Sequence, residues 1–198
     1  MEIEAKFYVN DLGQIAGRLE ALGARVLHAR TLEQNWRYDT PERTLDAGQR
    51  LLRLRKSHKV TLTYKSSAEE VGGTSQRQEY ETEVTDIEQT RLLLEALGYV
   101  VTERYEKYRT EYDLGGLYVT LDELPFGDFV EIEGGNAAEI RAAAEDLGLD
   151  WAANSTENYL LLFRRLAKVV PVAEGKLTFA ELEGKTVGAE KLGVRAAD

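Results

Sequence analysis

Glu2-Ile3-Glu4-Ala5-Lys6-Phe7 opens the chain with strict alternation, charged side chains at even positions and apolar ones at odd positions. A period of two marks a strand, because successive side chains of an extended backbone point to opposite faces. The pattern returns along the chain. One face carries Arg53 and Arg55, then Thr61, Thr63 and Lys65, then Arg77, Glu79, Glu81 and Glu83. Further on come Lys107, Arg109 and Glu111, then Thr120 and Asp122, and last Glu131 and Glu133. The opposite faces hold Leu52 and Leu54, Val60, Leu62 and Tyr64, Val119 and Leu121, Val130 and Ile132.

Ordinary solvent-facing strand positions mix uncharged and charged polar residues. These are charged in same-sign clusters, and like charges two apart on one face repel, so each cluster calls for an opposite partner. Carboxylate pairs such as Glu2/Glu4 suit a divalent cation. Arginine pairs such as Arg53/Arg55 match phosphate, whose oxygens fit the guanidinium fork. A donor set of oxygens alone favours Mg²⁺ or Mn²⁺ over zinc.

Between the strands lie amphipathic helices with recognisable ends. Asp11 caps a run with Ile15 and Leu19 on one face, Asp86 caps another through Leu93, Leu94 and Leu97, and a third passes through Ile140 and Leu147. They end at Gly23, Gly98 and Gly148. Hairpins are expected at Ser57-His58 and Gly115-Gly116, and residues 66–76, with Gly72-Gly73, read as a mobile loop. Residues 155–167 read as a closing helix with Tyr159, Leu162, Phe163 and Leu166 inward. The fold class is α+β: a closed antiparallel barrel with the helices packed outside and the charges in its lumen. Buried charges are costly unless paired, so such a lumen is a site for a highly charged ligand. Residues 1–170 form that domain. Residues 171–198 read as a polar tail, partly helical through a Thr178-to-Glu181 capping box.

Composition narrows the partners. The 198 residues carry 25 basic and 35 acidic side chains, a formal net charge of −10, which argues against a nucleic-acid groove. There is no cysteine, hence no disulfide and no thiolate nucleophile. No run approaches the roughly 20 apolar residues of a membrane span, and Met1-Glu2-Ile3-Glu4 lacks signal-peptide character. A cytoplasmic protein with no nucleic-acid or membrane partner is expected, and a homodimer stays open. His28 and His58 read as isolated surface residues, and Trp36, Tyr38 and Asp39 as structural, with Arg37 able to face the lumen.

These motifs together resemble the CYTH superfamily, the triphosphate tunnel metalloenzymes. Glu2 to Lys6 is similar to its E-x-E-x-K signature, Arg53-Leu54-Arg55 to R-x-R and Thr63-Tyr64-Lys65 to T-x-K. Arg77 to Glu81 resembles R-x-E-x-E, Lys107-Tyr108-Arg109 resembles K-x-R, and Asp122 with Gly127 to Gly134 resembles the D…G-x-F-x-E-I-E-G block. Asn158-Tyr159 through Leu162 is similar to the closing S-Y-x-x-L-L helix, with Asn for Ser. The resemblance implies an eight-stranded tunnel processing a triphosphate with Mg²⁺ or Mn²⁺. It implies Glu2, Glu4, Asp122, Glu131 and Glu133 at the metal, and Lys6, Arg53, Arg55, Lys65, Arg77, Lys107 and Arg109 on phosphate. Glu79, Glu81 and Lys107 are then the catalytic candidates, Glu79 and Glu81 by holding a second metal or orienting water. The favoured activity is hydrolysis of inorganic tripolyphosphate or a nucleoside triphosphate. Class IV adenylyl cyclase is the alternative, although the His-Phe element that precedes E-x-E-x-K in proteobacterial cyclases has no counterpart after Met1. Thr156-Glu157-Asn158 lacks the lysine of animal thiamine triphosphatases at that place. A non-catalytic polyphosphate or nucleotide binder is the second alternative.

Overall fold

The structure is a computed structural model that describes all residues except Met1, Gly72, Gly73, Glu174 and Thr186, and the side chains of all others except Glu2, Val71 and Ser75. Its elements run in the order β1 (Glu2–Val9), α1 (Leu12–Ala21), β2 (Arg25–Asp39), α2 (Thr44–Ala47), β3 (Leu51–Lys56) and β4 (Val60–Lys65). There follow β5 (Glu69–Val71), β6 (Thr74–Arg77), β7 (Glu79–Glu83), α3 (Ile87–Ala96), β8 (Val100–Leu114), β9 (Leu117–Leu124) and β10 (Gly127–Glu133). The chain ends with α4 (Ala137–Asp146), a 3₁₀ turn at Trp151–Ala153, β11 (Asn154–Ser155), α5 (Tyr159–Leu166), β12 (Lys176–Leu177), α6 (Phe179–Leu182) and α7 (Ala189–Leu192).

The helix ends follow the sequence. Asp11 accepts from the Gln14 N–H, Asp86 from Glu88 and Gln89, and Thr178 from Glu181, each satisfying donors left free in a first helical turn. Gly23, Gly98 and Gly148 all take positive φ just past their helices, which costs glycine nothing. The tight turn between β8 and β9 puts Gly115 and Gly116 at φ 61° and 97°.

The strands form one sheet, antiparallel along its main path, in the order β5-β6-β1-β10-β9-β8-β2-β3-β4-β7, with β11 beside β1 and a parallel β12 beside β8. Fold class and the helices capped at Asp11 and Asp86 are as expected. The closing helix expected over residues 155–167 runs only over Tyr159–Leu166, α2 and α7 are additional, and strand count and closure differ. Among the described residues the sheet has 12 strands, and its hydrogen-bonded order is open at β5 and β7. Gln78 alone separates β6, which pairs with β1, from β7, which pairs with β4. Its N–H donates to Ser66 Oγ and its carbonyl accepts from the Ser66 N–H, so one covalent segment changes partners there. Residues 66–76, expected as a loop, hold β5 and most of β6; Gly72-Gly73 lies outside the described residues.

Helices cover the apolar face of the sheet. Ile15 and Leu19 of α1 and Ile140 and Leu147 of α4 pack with Phe7, Val119, Val130 and Ile132. Leu94 of α3 packs with Tyr38 and Leu54, flanked by Val60 and Leu62. Leu162, Phe163 and Leu166 of α5 join Phe126 and Phe129, together with Leu177, Leu182 and Leu192 from the C-terminal segment. That segment is partly helical, and it is sewn in by leucines. No helix among the described residues is long and apolar enough to cross a membrane.

Candidate active site

With one sheet face given to the helices, the charged face encloses a cavity of about 740 Å³. Its wall draws on β1 to β10 and on the start of α5. Of the side chains expected there, Glu4, Lys6, Arg53, Arg55, Lys65, Arg77, Glu79, Glu81, Lys107, Arg109, Glu131 and Glu133 all line it. The side chain of Glu2 lies outside the described residues. Glu83 and Glu111 do not reach the wall.

Strand register fixes the acidic end. Glu4 lies directly opposite Glu133 across β1 and β10, and Lys6 lies opposite Glu131. Lys6 Nζ approaches Glu131 at 3.2 Å, and Arg77 Nη2 donates to Glu4 at 3.3 Å. Burial alone would raise the Glu131 pKa, but Lys6, Arg109 and Lys107 hold it well below the usual carboxylate range. Two carboxylates facing each other on neighbouring strands repel unless a cation sits with them.

Asp122 sits deeper, with no exposure and outside the cavity lining. It accepts from Lys107 Nζ at 2.8 Å, from Arg109 Nε at 2.6 Å and from the Tyr159 hydroxyl at 2.8 Å. Burial and the neighbouring carboxylates Asp122 and Glu131 keep the Tyr159 phenol well above its ordinary pKa, so it stays a donor. Its ring lies 4.3 Å under Lys6 Nζ, and Lys6 also donates to the Glu157 carbonyl at 3.1 Å. The start of α5 therefore touches the lysine of β1 and the aspartate of β9.

On the opposite wall, Arg55 Nη2 donates to both Glu81 oxygens at 3.2 Å, and Thr63 Oγ1 donates to Glu81 at 2.7 Å. Burial opposes ionisation of Glu81, yet Arg55 and that hydroxyl bring its pKa below the ordinary value. Lys65 pairs with Glu79 at 2.9 Å. Arg53 donates to the Tyr105 hydroxyl at 3.3 Å. Burial would raise the Tyr105 pKa, but Arg53 and Lys107 lower it.

Sequence reading missed two features. Glu33, 2% exposed, sits on β2 among Arg55, Lys107 and Arg109. At the other end of the cavity, Arg164 of α5 forks onto Asp46 at 3.2 and 2.8 Å and also donates to Glu103 at 3.1 Å; Arg43 reaches the same Glu103 at 2.8 Å. Arg37 does line the cavity. The signal for Glu33 was the alternation Glu33, Asn35, Arg37, Asp39, which carries the charged pattern through β2. His28 and His58 are exposed but not isolated: their rings stack 3.9 Å apart, because β2 and the β3–β4 turn meet there.

The donors suit a hard divalent cation in type. Among the described residues no three acidic or histidine side chains converge into a ready cage. Mg²⁺ commonly binds through one or two carboxylates, with water and substrate phosphate completing its shell, and the Glu4/Glu133 pair fits that pattern.

Residues 1–155 match the family model described as the CYTH domain. The chain belongs to the CYTH domain family. This CYTH domain is 30% identical over 136 residues to adenylate cyclase CyaB of Aeromonas hydrophila, covering 66% of this chain and 67% of that one. A candidate adenylate cyclase of Vibrio parahaemolyticus has the same fold, with TM-score 0.71, 24% identity and coverage of 80% of this chain and 95% of that one. So does a candidate adenylyl cyclase of Hippeastrum with a dominant triphosphatase activity, with TM-score 0.62, 22% identity and coverage of 86% and 98%.

Proposed function

We propose that this CYTH domain hydrolyses a triphosphate, inorganic tripolyphosphate or a nucleoside triphosphate, in a reaction that depends on Mg²⁺ or Mn²⁺. One observation carries this reading: a single cavity wall joins a battery of lysines and arginines to two carboxylates set face to face. The sheet is read as wrapping into a tunnel with residues 74–83 as its seam. Residues 1–170 are read as the catalytic unit of a cytoplasmic enzyme, and residues 171–198 as its brace.

Phosphoryl transfer needs positioning and charge neutralisation more than a covalent nucleophile. Arg53, Arg55, Lys65, Arg77, Lys107 and Arg109 hold the phosphates in line, and Lys6 reaches them from β1. Glu4 and Glu133, with Glu2 and Glu131 on the same two strands, would hold the metal, which would supply charge neutralisation at the phosphate oxygens. Asp122 serves that end from behind by fixing Lys107 and Arg109. Glu79 and Glu81 orient the attacking water, and Lys107 balances charge on the group in transfer. The products are phosphate and a diphosphate.

A cyclase reading is favoured by the identity with the Aeromonas adenylate cyclase. There the ribose hydroxyl attacks the α-phosphate and pyrophosphate leaves, in the same clamp. The dominant triphosphatase activity of the Hippeastrum protein, which shares the fold, supports the hydrolytic reading. The test is a purified-protein assay on tripolyphosphate, ATP and thiamine triphosphate with Mg²⁺ or Mn²⁺, scoring both phosphate release and cyclic AMP. Phosphate release supports hydrolysis. Cyclic AMP as the main product from ATP replaces it with the cyclase, and tight binding without turnover leaves a binding module.

A further inference from the structure

Glu33, like Asp122, is a buried carboxylate at the clamp that lies outside the cavity lining. Its side chain is 3% exposed. On β2 it stands opposite Lys107 of β8, while Asn35 and Thr31, its same-face neighbours, stand opposite Arg55 and Arg109. Arg55 Nη1 is 3.4 Å from Glu33 Oε1; Lys107 Nζ and Arg109 Nε are 3.6 and 4.0 Å from Oε2.

These cations do not need Glu33 for pairing. Arg55 has Glu81, and Lys107 and Arg109 have Asp122. Nor is Glu33 well satisfied itself, since its buried Oε2 accepts no hydrogen bond and meets its cations by charge alone. A buried carboxylate so placed is poor economy for folding. It remains ionised, because Lys107, Arg109, Arg55 and Arg53 overcome the effect of burial and bring its pKa down to about 2.

We propose that Glu33 is a fixed counter-charge behind the clamp, competing with bound phosphate for Arg55, Lys107 and Arg109 so that anionic product is released. The role rests on the triphosphate reading above and deepens it. Glu33 is a positioning residue: it acts on the ligand only through cations that the ligand shares. A residue that merely props those cations would weaken binding when neutralised, whereas a competing charge strengthens it.

The test is Glu33→Gln, which keeps shape and removes charge, beside Glu33→Asp, which keeps charge and changes packing. Binding of inorganic tripolyphosphate is measured by calorimetry with EDTA present, so that the clamp is read without metal. Glu33→Gln tightens binding by about tenfold, the scale of one unit charge across a few ångströms of protein. Its KM and kcat fall together as product lingers. Glu33→Asp stays within about threefold of the wild type in affinity. If Glu33→Gln is too unstable for calorimetry, its rise in melting temperature with millimolar tripolyphosphate must exceed that of the wild type. Equal or weaker binding, or an equal or smaller rise, overturns the counter-charge role. A wild type that binds no tripolyphosphate either with EDTA or with Mg²⁺ removes the triphosphate reading itself, and this role with it. Binding seen with Mg²⁺ but not with EDTA overturns this role alone.

Discussion

Glu4 and Glu133 illustrate how far single residues could be read. Each was legible as the charged member of an alternating strand, but that they face each other follows from the β1–β10 register. Glu4→Gln and Glu133→Gln are each expected to cut metal-dependent turnover roughly a hundredfold, the scale for losing one preorganised charge contact. Far-ultraviolet circular dichroism should stay unchanged, and near-wild-type turnover in both would remove the metal assignment. Asp128 makes a second prediction. Burial, then the Glu123 carboxylate opposite it, raises its pKa to about 6. The folded state therefore binds this proton more tightly than the unfolded chain, and the group's contribution to stability falls as pH rises from about 4 through 6. Asp128→Asn should gain about 1 kcal/mol at pH 7, after allowance for solvent screening, and nothing below about pH 4. Urea midpoints at the two pH values check it. Glu33 escaped sequence reading because only Trp36 to Asp39, the end of β2, were singled out there.

Among the elements, the helices declared themselves through caps and period. The irregular pieces did not. Asp39, expected to be structural, accepts from the N–H groups of Thr40, Leu45 and Asp46 at 2.7–2.8 Å and so holds the turn that carries Asp46 to Arg164. Asp39→Ala strands three donors and should cost about 2–4 kcal/mol. A urea midpoint within error of the wild type would show that the turn does not depend on it. Residues 66–76 misled because β5 and β6 are short, polar and flanked by glycine. A three-residue strand such as β5 exists only because β6 is there to pair with.

For the whole molecule, the C-terminal segment matters more than its polarity suggests. Leu177, Leu182 and Leu192 are at most 4% exposed, and Ala197 donates to the Tyr8 carbonyl, tying the last residues to β1. Deleting residues 171–198 should cost about 3–6 kcal/mol, from the leucine surface returned to water less the entropy released. Thermal unfolding measures it, and an unchanged melting temperature would show the segment to be an ornament. Local pattern alone determined the α+β class, the helix ends and most of the charged wall, because periods of 2 and 3.6 sort side chains onto faces before any long-range contact forms. Only tertiary structure decided the partner change at Gln78, the burial of Asp122 and the place of Glu33 behind three cations. Those depend on which distant strands meet and in what register, and register is set by the packing of the entire sheet.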